Sequence, residues 1–193
     1  MKKLKLPLTL LFILAAVSVQ NSFAQKQTTG LYLTYNDYLH HKLSYTSDEP
    51  KGTKLVIHEF IGQKNVTIIN NGKKKQLPKS ELFGYHDANN NDYRFFDNKA
   101  YQIVDTTGFY IYGYDRLVQE GKGPKPLRTY YFSTKSNSSI MPLTPENIAV
   151  AFPKNQKFRN MIEVESKADI RLDAYDNVSA EYKIKEIYAE SLK

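Results

Sequence analysis

The 193-residue chain contains no cysteine and no tryptophan. Without cysteine it forms no disulfide, so an exported form of the chain depends on its hydrophobic core for stability. The same absence excludes thiol catalysis, thiolate metal sites and a lipid anchor attached to cysteine. The lack of tryptophan weakens a carbohydrate-binding interpretation without excluding it.

Several catalytic and nucleotide-binding motifs are also missing. No serine lies in a G-x-S-x-G or S-x-x-K context, and no glycine-rich phosphate loop or dinucleotide fingerprint is present. Adjacent residues on a helix or strand point apart, so neither His40-His41 nor His58-Glu59 can chelate one ion without further ligands. We therefore expect no metal site and no cofactor.

The first 24 residues have the three regions of a secretory signal peptide. Three lysines within the first five residues precede an apolar run over 6–19, and a small-residue pattern ends at Ala24. The run is too short to span a bilayer comfortably, and no second hydrophobic segment follows it. The sequence predicts a cleaved signal peptide at 1–24, no stable membrane anchor after cleavage, and a location in a Gram-negative periplasm or the extracellular medium.

Cleavage of that segment lowers the positive charge of the chain. It removes three of the 27 lysine and arginine residues and none of the 20 acidic ones, which leaves 24 against 20, a net charge of +4 on residues 25–193. A nucleic-acid site usually needs basic residues clustered on one face, whereas the densest cluster, at 71–79, lies in a predicted tight turn. We expect no nucleic-acid partner.

Residues 25–193 suit one domain that begins with a short helix and continues as strands. Thr34 and Asp37 match a capping box, which predicts the helix. The strands follow between about residues 54 and 135, and Asn71-Gly72 is their strongest hairpin signal. Glycines and prolines in VQEGKGPKP, at 118–126, predict a loop without regular structure.

Helices dominate after residue 141. Thr144 with Pro145 at the first helical position marks one start, Asn155 marks a second, and a helical stripe begins at Ala180. Strands joined by short loops favour an antiparallel meander. The predicted fold class is α+β: an antiparallel β-meander, flat, curved or closed into a half-barrel, with a short N-terminal helix and C-terminal helices packed on one face.

An aromatic run at 92–115 provides the first candidate site. Strand alternation places Phe109 and Ile111 on one face and three tyrosines on the other. If exposed, the tyrosines form a stacking platform for sugar rings or an extended peptide; if buried, they lie under the C-terminal helices. The candidate ligand-binding residues are these three tyrosines, Tyr110, Tyr112 and Tyr114, together with the cationic side chain of Arg94.

A second candidate site lies at predicted strand ends. His86 and Asp87, near Asp92, have the side chains of an acid–base site. A pair of carboxylates for glycoside hydrolysis is also possible here, because the sequence does not show which carboxylates lie close together in space. Asp and Asn are also the residues that turns prefer for local hydrogen bonding. Ordinary turn chemistry therefore explains the same residues.

Four segments, GLYLTYNDY, LFGYHD, DYRFFDNKAYQIV and PLTPENIAVAFPKNQKF, carry a resemblance. In them the chain resembles a family of small exported Gram-negative bacterial proteins of uncharacterised function. The resemblance spans about residues 30–188, and it brings no activity and no functional residue.

The sequence favours an exported, soluble binding module whose ligand is a glycan, a peptide, a protein or a small apolar molecule. The aromatic sheet and the DANNN and EGKGPKP loops are the expected contact surfaces. One alternative is a periplasmic hydrolase that uses carboxylates or His86, and another is a structural envelope protein. An enzyme requires a concave pocket with converging titratable groups, whereas a binding module requires an exposed aromatic patch.

Overall fold

The computed structural model describes residues 28–47, 52–58, 63–121 and 123–193. The predicted signal peptide lies outside the described residues. The strands are β1 Gly30–Tyr32, β2 Thr53–Val56, β3 Asn65–Asn70, β4 Lys73–Pro78, β5 Gly84–His86, β6 Asp92–Phe96, β7 Lys99–Asp105, β8 Tyr110–Glu120, β9 Gly123–Ser133, β10 Met141–Pro142, β11 Tyr175–Asp176 and β12 Glu181–Tyr182. The helices are α1 Tyr35–Leu39, α2 Pro145–Ala151, α3 Gln156–Lys167 and α4 Lys183–Ser191.

Seven strands form an open antiparallel sheet in the order β1-β5-β6-β7-β8-β9-β10, which we call the main sheet. Strands β5 to β10 follow one another along the chain, so most of this sheet is a meander. Strands β2, β3 and β4 form a separate antiparallel sheet, and β11 pairs with β12. The structure confirms the predicted α+β class, with a short N-terminal helix and C-terminal helices.

Local signals in the sequence account for several element boundaries. The Thr34 hydroxyl accepts a hydrogen bond from the backbone of Asp37 at 3.1 Å, and the Asp37 carboxylate accepts one from the backbone of Thr34 at 3.0 Å, which completes the predicted capping box. Between β3 and β4, Asn71 and Gly72 have positive φ values of 49° and 77°, as a tight hairpin turn requires. These predictions are confirmed.

The caps of the C-terminal helices are also confirmed, but the last helix is shorter than predicted. The Thr144 hydroxyl accepts from the backbone of Asn147 at 3.3 Å, and the Asn155 side chain accepts from the backbone of Phe158 at 2.9 Å. Ala180 has a positive φ of 54° in the turn between β11 and β12, so α4 begins three residues later.

The prediction of an irregular loop at 118–126 is wrong. Strands β8 and β9 continue through it as paired 11-residue strands, and only two residues, 121 and 122, connect them. Gly121, at a positive φ of 62°, forms part of this turn, and Pro124 and Pro126 lie within β9. Prolines are tolerated there because β9 is an edge strand along this segment.

One face of the main sheet, which we call the helix face, packs against the other elements. Near β8 and β9 it contacts α2, α3 and α4 through Phe109, Ile111, Phe132, Ile148, Phe158, Ile162, Ile184 and Ile187. Near β5 and β6 the same face packs on the three-stranded sheet through Tyr85, Phe95, Ala100, Val66 and Ile68. Strand alternation turns the predicted tyrosine row to the opposite side.

Candidate functional site

The opposite side of the main sheet carries Tyr101, Tyr110, Tyr112, Tyr114 and Tyr131, and we call it the tyrosine face. The tyrosine row therefore does not lie under the C-terminal helices, which pack on the other side. Instead, this face contacts helix α1 and the segment after β9, which contributes Ile140. Neither of the two alternatives drawn from the sequence describes this arrangement fully.

The three predicted tyrosines differ in exposure. Tyr112 is 0% exposed, whereas Tyr110 and Tyr114 are partly exposed on either side of it. The Tyr110 ring stacks on the Tyr112 ring at 6.1 Å between centroids, and Tyr114 packs against Tyr101 and Tyr131 at 5.2 and 6.2 Å. Tyr112 is thus a core residue, and its two neighbours reach the surface.

Arg94 is buried next to Tyr112 and holds it in place. Its guanidinium donates to the Tyr112 hydroxyl at 3.0 Å, to the Ser133 hydroxyl at 3.3 Å and to the backbone carbonyl of Ser138 at 2.7 Å. Burial raises the pKa of Tyr112, and the charge of Arg94 opposes that effect. Arg94 is only 6% exposed, so it supports the tyrosine face from below.

Helix α1 adds aromatic side chains to this face that the sequence analysis missed. The hydroxyls of Tyr35 and Tyr110 share a hydrogen bond of 2.7 Å, and the Tyr38 ring stacks on Phe83 at 5.1 Å. Burial, followed by the charge of Asp92, raises the pKa of Tyr38 to about 12. Tyr35 and Tyr38 are three residues apart in the sequence, and this spacing predicts that they lie on the same side of a helix.

His86 and Asp92 are brought together by the β5–β6 hairpin, in which they are directly paired. The Nδ1 atom of His86 lies 2.8 Å from a carboxylate oxygen of Asp92, and the hydroxyl of Tyr32 donates to the same oxygen at 2.8 Å. Burial, with a smaller contribution from Asp92, raises the pKa of Tyr32. A carboxylate only accepts, so Nδ1 carries the hydrogen, and in a neutral imidazole Nε2 is then the acceptor.

Asp87 has a different role from its two neighbours. Its carboxylate accepts hydrogen bonds from the backbone of Asn89 and Asn91, both at 2.8 Å, and from the Tyr93 hydroxyl at 3.3 Å. Burial alone would raise the pKa of Asp87, but these hydrogen bonds outweigh it and lower the pKa. Asp87 stabilises the turn, as ordinary turn chemistry predicts, and it does not join His86 and Asp92.

Within the described ranges, no group of three or more His, Asp or Glu side chains could hold a metal ion. No helix in that part of the chain is long and apolar enough to cross a membrane.

Six of the seven candidate residues lie on the tyrosine face, because Asp92 and Arg94 are two residues apart on β6 and Arg94 pairs with Tyr101. The two sites proposed from the sequence are therefore parts of one surface.

Comparisons of the chain with protein-family models, with curated proteins and with solved structures return no significant match.

Proposed function

We propose that the protein is an exported binding module and that its ligand contacts the tyrosine face. The predicted signal peptide supports export, and the aromatic surface supports binding. The candidate ligands under this proposal are a glycan, a peptide, a protein surface and a small apolar molecule.

The observation that carries the proposal is the pattern of exposure on this face. Tyr110, Tyr114 and Tyr131 are partly exposed around a base of buried Tyr101 and Tyr112. Half-exposed tyrosines offer flat apolar area together with a hydroxyl, which suits sugar rings and peptide groups alike. Hydrogen bonds from Arg94 and Ser133 hold Tyr112, and ring contacts hold Tyr101, so binding would cost little ordering of these two side chains.

The experiment is a screen of the protein against immobilised glycan and peptide libraries, followed by two matched variants. Tyr131 and Tyr130 are neighbours on β9, both partly buried, but Tyr131 faces the tyrosine cluster whereas Tyr130 packs against Tyr182 at 5.7 Å on the helix face. We expect Tyr131→Ala to weaken binding at least about tenfold, the scale of one lost aromatic contact. Tyr130→Ala should leave binding within about twofold. An equal loss in both variants would contradict the proposal.

The pairing of His86 with Asp92 favours a second candidate, a hydrolase in which His86 is a general base. Asp92 fixes the imidazole orientation and tautomer, as an orienting carboxylate does for a catalytic histidine. No hydroxyl among the described residues hydrogen-bonds to Nε2, so the base would activate water. Turnover of chromogenic ester or glycoside substrates, lost in His86→Ala, would support this candidate. The absence of both turnover and a ligand would favour a structural envelope protein.

A further inference from the structure

The distal halves of β8 and β9 form a two-stranded arm beyond the rest of the main sheet. Strand β7 pairs with β8 only as far as Gln102 and Gly113, and β10 pairs with β9 only at Tyr131 and Phe132. From Tyr114 to the end of β8, the described strands pair β8 with β9 alone. Among the described strands, both outer edges of the arm are therefore unpaired.

The two edges of the arm differ in what they offer. Leu117 pairs with Pro126, and Gln119 pairs with Pro124. In an antiparallel ladder, pairs that exchange hydrogen bonds alternate with pairs that do not. A proline has no N–H to donate, so the two pairs that contain proline belong to the second kind. The backbone N–H and C=O groups of the residues in such pairs point away from the partner strand. On β9 the two prolines occupy outward positions next to Arg128 and block the distal part of that edge.

The β8 edge carries no such block. By the same alternation, the N–H and C=O groups of Asp115, Leu117 and Gln119 point away from β9, and none of the three is a proline. An edge with a continuous row of unpaired donors and acceptors is a template for another strand. Protection of one edge by prolines leaves the other as the place where a strand can add.

The side chains next to this edge indicate the chemistry of the partner. Arg116 shares the tyrosine-face side with Tyr114, and the ammonium of Lys99 lies 5.8 Å from the centre of the Tyr114 ring. Neither cation has a carboxylate within ion-pair distance among the described residues. On the other side, Asp115 is already paired with Arg128 at 2.8 Å, so that side offers no free anion.

The helix-face side of the edge is apolar at its centre, because Leu117 is 53% exposed there. A strand added to β8 would alternate between the two sides, with acidic side chains near Arg116 and apolar ones near Leu117. We infer that the β8 edge from Asp115 to Gln119 docks an extended peptide segment with alternating acidic and apolar residues, which joins the main sheet as an additional strand. This surface adjoins the tyrosine face at Tyr114, but the inference does not depend on the proposed ligand contacts of Tyr110 and Tyr131.

A second copy of the chain fits this edge less well than a peptide. Stable protein interfaces usually bury at least about 1,000 Å², and a five-residue edge is short for that purpose. In antiparallel self-pairing, the register centred on Asp115 opposes two carboxylates and the register centred on Arg116 opposes two guanidiniums, and like charges directly opposite destabilise a sheet. The register centred on Leu117 sets Arg116 opposite Val118, so the guanidinium gains no acidic partner. An acidic peptide meets neither difficulty.

The test uses a fluorescein-labelled octapeptide of alternating glutamate and valine, with binding to the protein followed by fluorescence anisotropy. We expect saturable binding, at least about tenfold weaker for the same peptide N-methylated at every residue, which has lost its backbone donors. A peptide of alternating lysine and valine should also bind at least about tenfold more weakly, since it reverses the charge. No saturation, or equal binding of all three peptides, would overturn the inference.

Two substitutions at one position separate the backbone from the side chain. Leu117→Pro removes an outward N–H opposite Pro126, where the β8–β9 ladder loses no hydrogen bond, and should weaken binding at least about tenfold. Leu117→Thr removes the same apolar side chain but keeps the N–H, so it should lose less than about threefold. Equal losses in the two variants would show that the edge itself does not bind.

Amide hydrogen exchange of the unmodified protein keeps the inference testable if Leu117→Pro does not fold. Without peptide, the amides of Arg116 and Val118 should exchange slowly, because they point to β9, and those of Leu117 and Gln119 quickly. Saturating peptide should slow Leu117 and Gln119 at least about tenfold. If this protection instead appears without peptide and rises with protein concentration, a second copy occupies the edge and the peptide assignment is wrong.

Discussion

Around strand β8, the two faces of the main sheet differ in their predominant aromatic residue. On the helix face, Phe109 and Phe132 pack with aliphatic side chains from three helices. On the tyrosine face, the rings carry hydroxyls, and the cover comes from helix α1 and the segment that contains Ile140. A phenylalanine face has to be buried entirely, whereas a tyrosine face can be half open, because each hydroxyl is satisfied by a partner or by water.

Two of the buried cations, Lys185 on the helix face and Arg94 on the tyrosine face, have different kinds of partner. Lys185, 2% exposed on the helix face, lies 3.3 Å from the Asp105 carboxylate and donates to the carbonyl of Thr107 at 2.6 Å. Burial lowers the pKa of Lys185, and the charge of Asp105 acts against this. Arg94 has only hydroxyl and carbonyl acceptors among the described residues. A guanidinium stays charged in such surroundings because its pKa is far above neutral and its hydration is weak.

The largest expected effect is the removal of a ring from the helix face. Phe132 is fully buried between the sheet and the helices, so Phe132→Ala should lower the free energy of unfolding by about 3–5 kcal/mol. Urea denaturation of the variant and of the unmodified protein measures the difference. A loss below about 1 kcal/mol would mean that the helices do not seal this face.

Lys185 and Arg94 give the next comparison. Lys185→Met leaves Asp105 without its partner and should cost about 3 kcal/mol, since an unpaired charge remains. Arg94→Met leaves only neutral acceptors and should cost about 1–2 kcal/mol. Both are measured by urea denaturation at neutral pH, and the reverse order of the two losses would contradict the contrast between the faces.

A single hydroxyl tests the network beneath the tyrosine face. Tyr112→Phe keeps the ring but removes the oxygen that Arg94 and Ser133 contact, at 3.0 and 2.9 Å, and should cost about 1–2 kcal/mol. Tyr114→Phe is the matched control on the same strand, because Tyr114 is partly exposed and its hydroxyl makes no hydrogen bond among the described residues, and it should cost less than about 0.5 kcal/mol. Equal losses would mean that Arg94 does not depend on Tyr112.

The local features of this architecture are predictable from the sequence, and the long-range ones are not. Thr34, Asp37 and Asn71-Gly72 act within four residues, so the capping box and the hairpin follow from the letters alone. Tyr32 reaches Asp92 across 60 residues, and Tyr35 reaches Tyr110 across 75. Such contacts depend on strand order, which no local signal specifies.

The two-stranded arm of β8 and β9 shows the opposite case, in which strand pairing overrides a local sequence signal and the prediction made from that signal is wrong. Glycine and proline between residues 118 and 126 predict a loop, but Gly121 serves the tight turn and the prolines occupy outward positions on an edge strand. The pairing of β8 with β9 then continues past them. Which positions of a strand face outward is decided by register, and register is not visible before the strands are paired.

Apart from the control Tyr114→Phe, the smallest effect on stability is expected at Asp87, and it depends on pH. Asp87→Ala should cost about 1 kcal/mol at neutral pH, because the turn loses its acceptor. The pKa of Asp87 is lowered by folding, so its stabilisation is present above the unfolded pKa of about 3.9 and is lost as pH falls through the folded pKa. Urea denaturation across pH 2–7 should show the two proteins converging below about pH 4. A constant difference would exclude the carboxylate as the cause.

The measurement that tests the central claim most directly is hydroxyl-radical footprinting of the tyrosines, with and without a ligand obtained from the library screen. Tyr114 and Tyr131 report on the tyrosine face, and Tyr175, which is 49% exposed in the β11–β12 hairpin, reports on the other side of the sheet. If the tyrosine face is the binding surface, the ligand protects Tyr114 and Tyr131 and leaves Tyr175 unchanged. Protection of Tyr175 with unchanged Tyr114 and Tyr131 would place the ligand elsewhere and contradict the account.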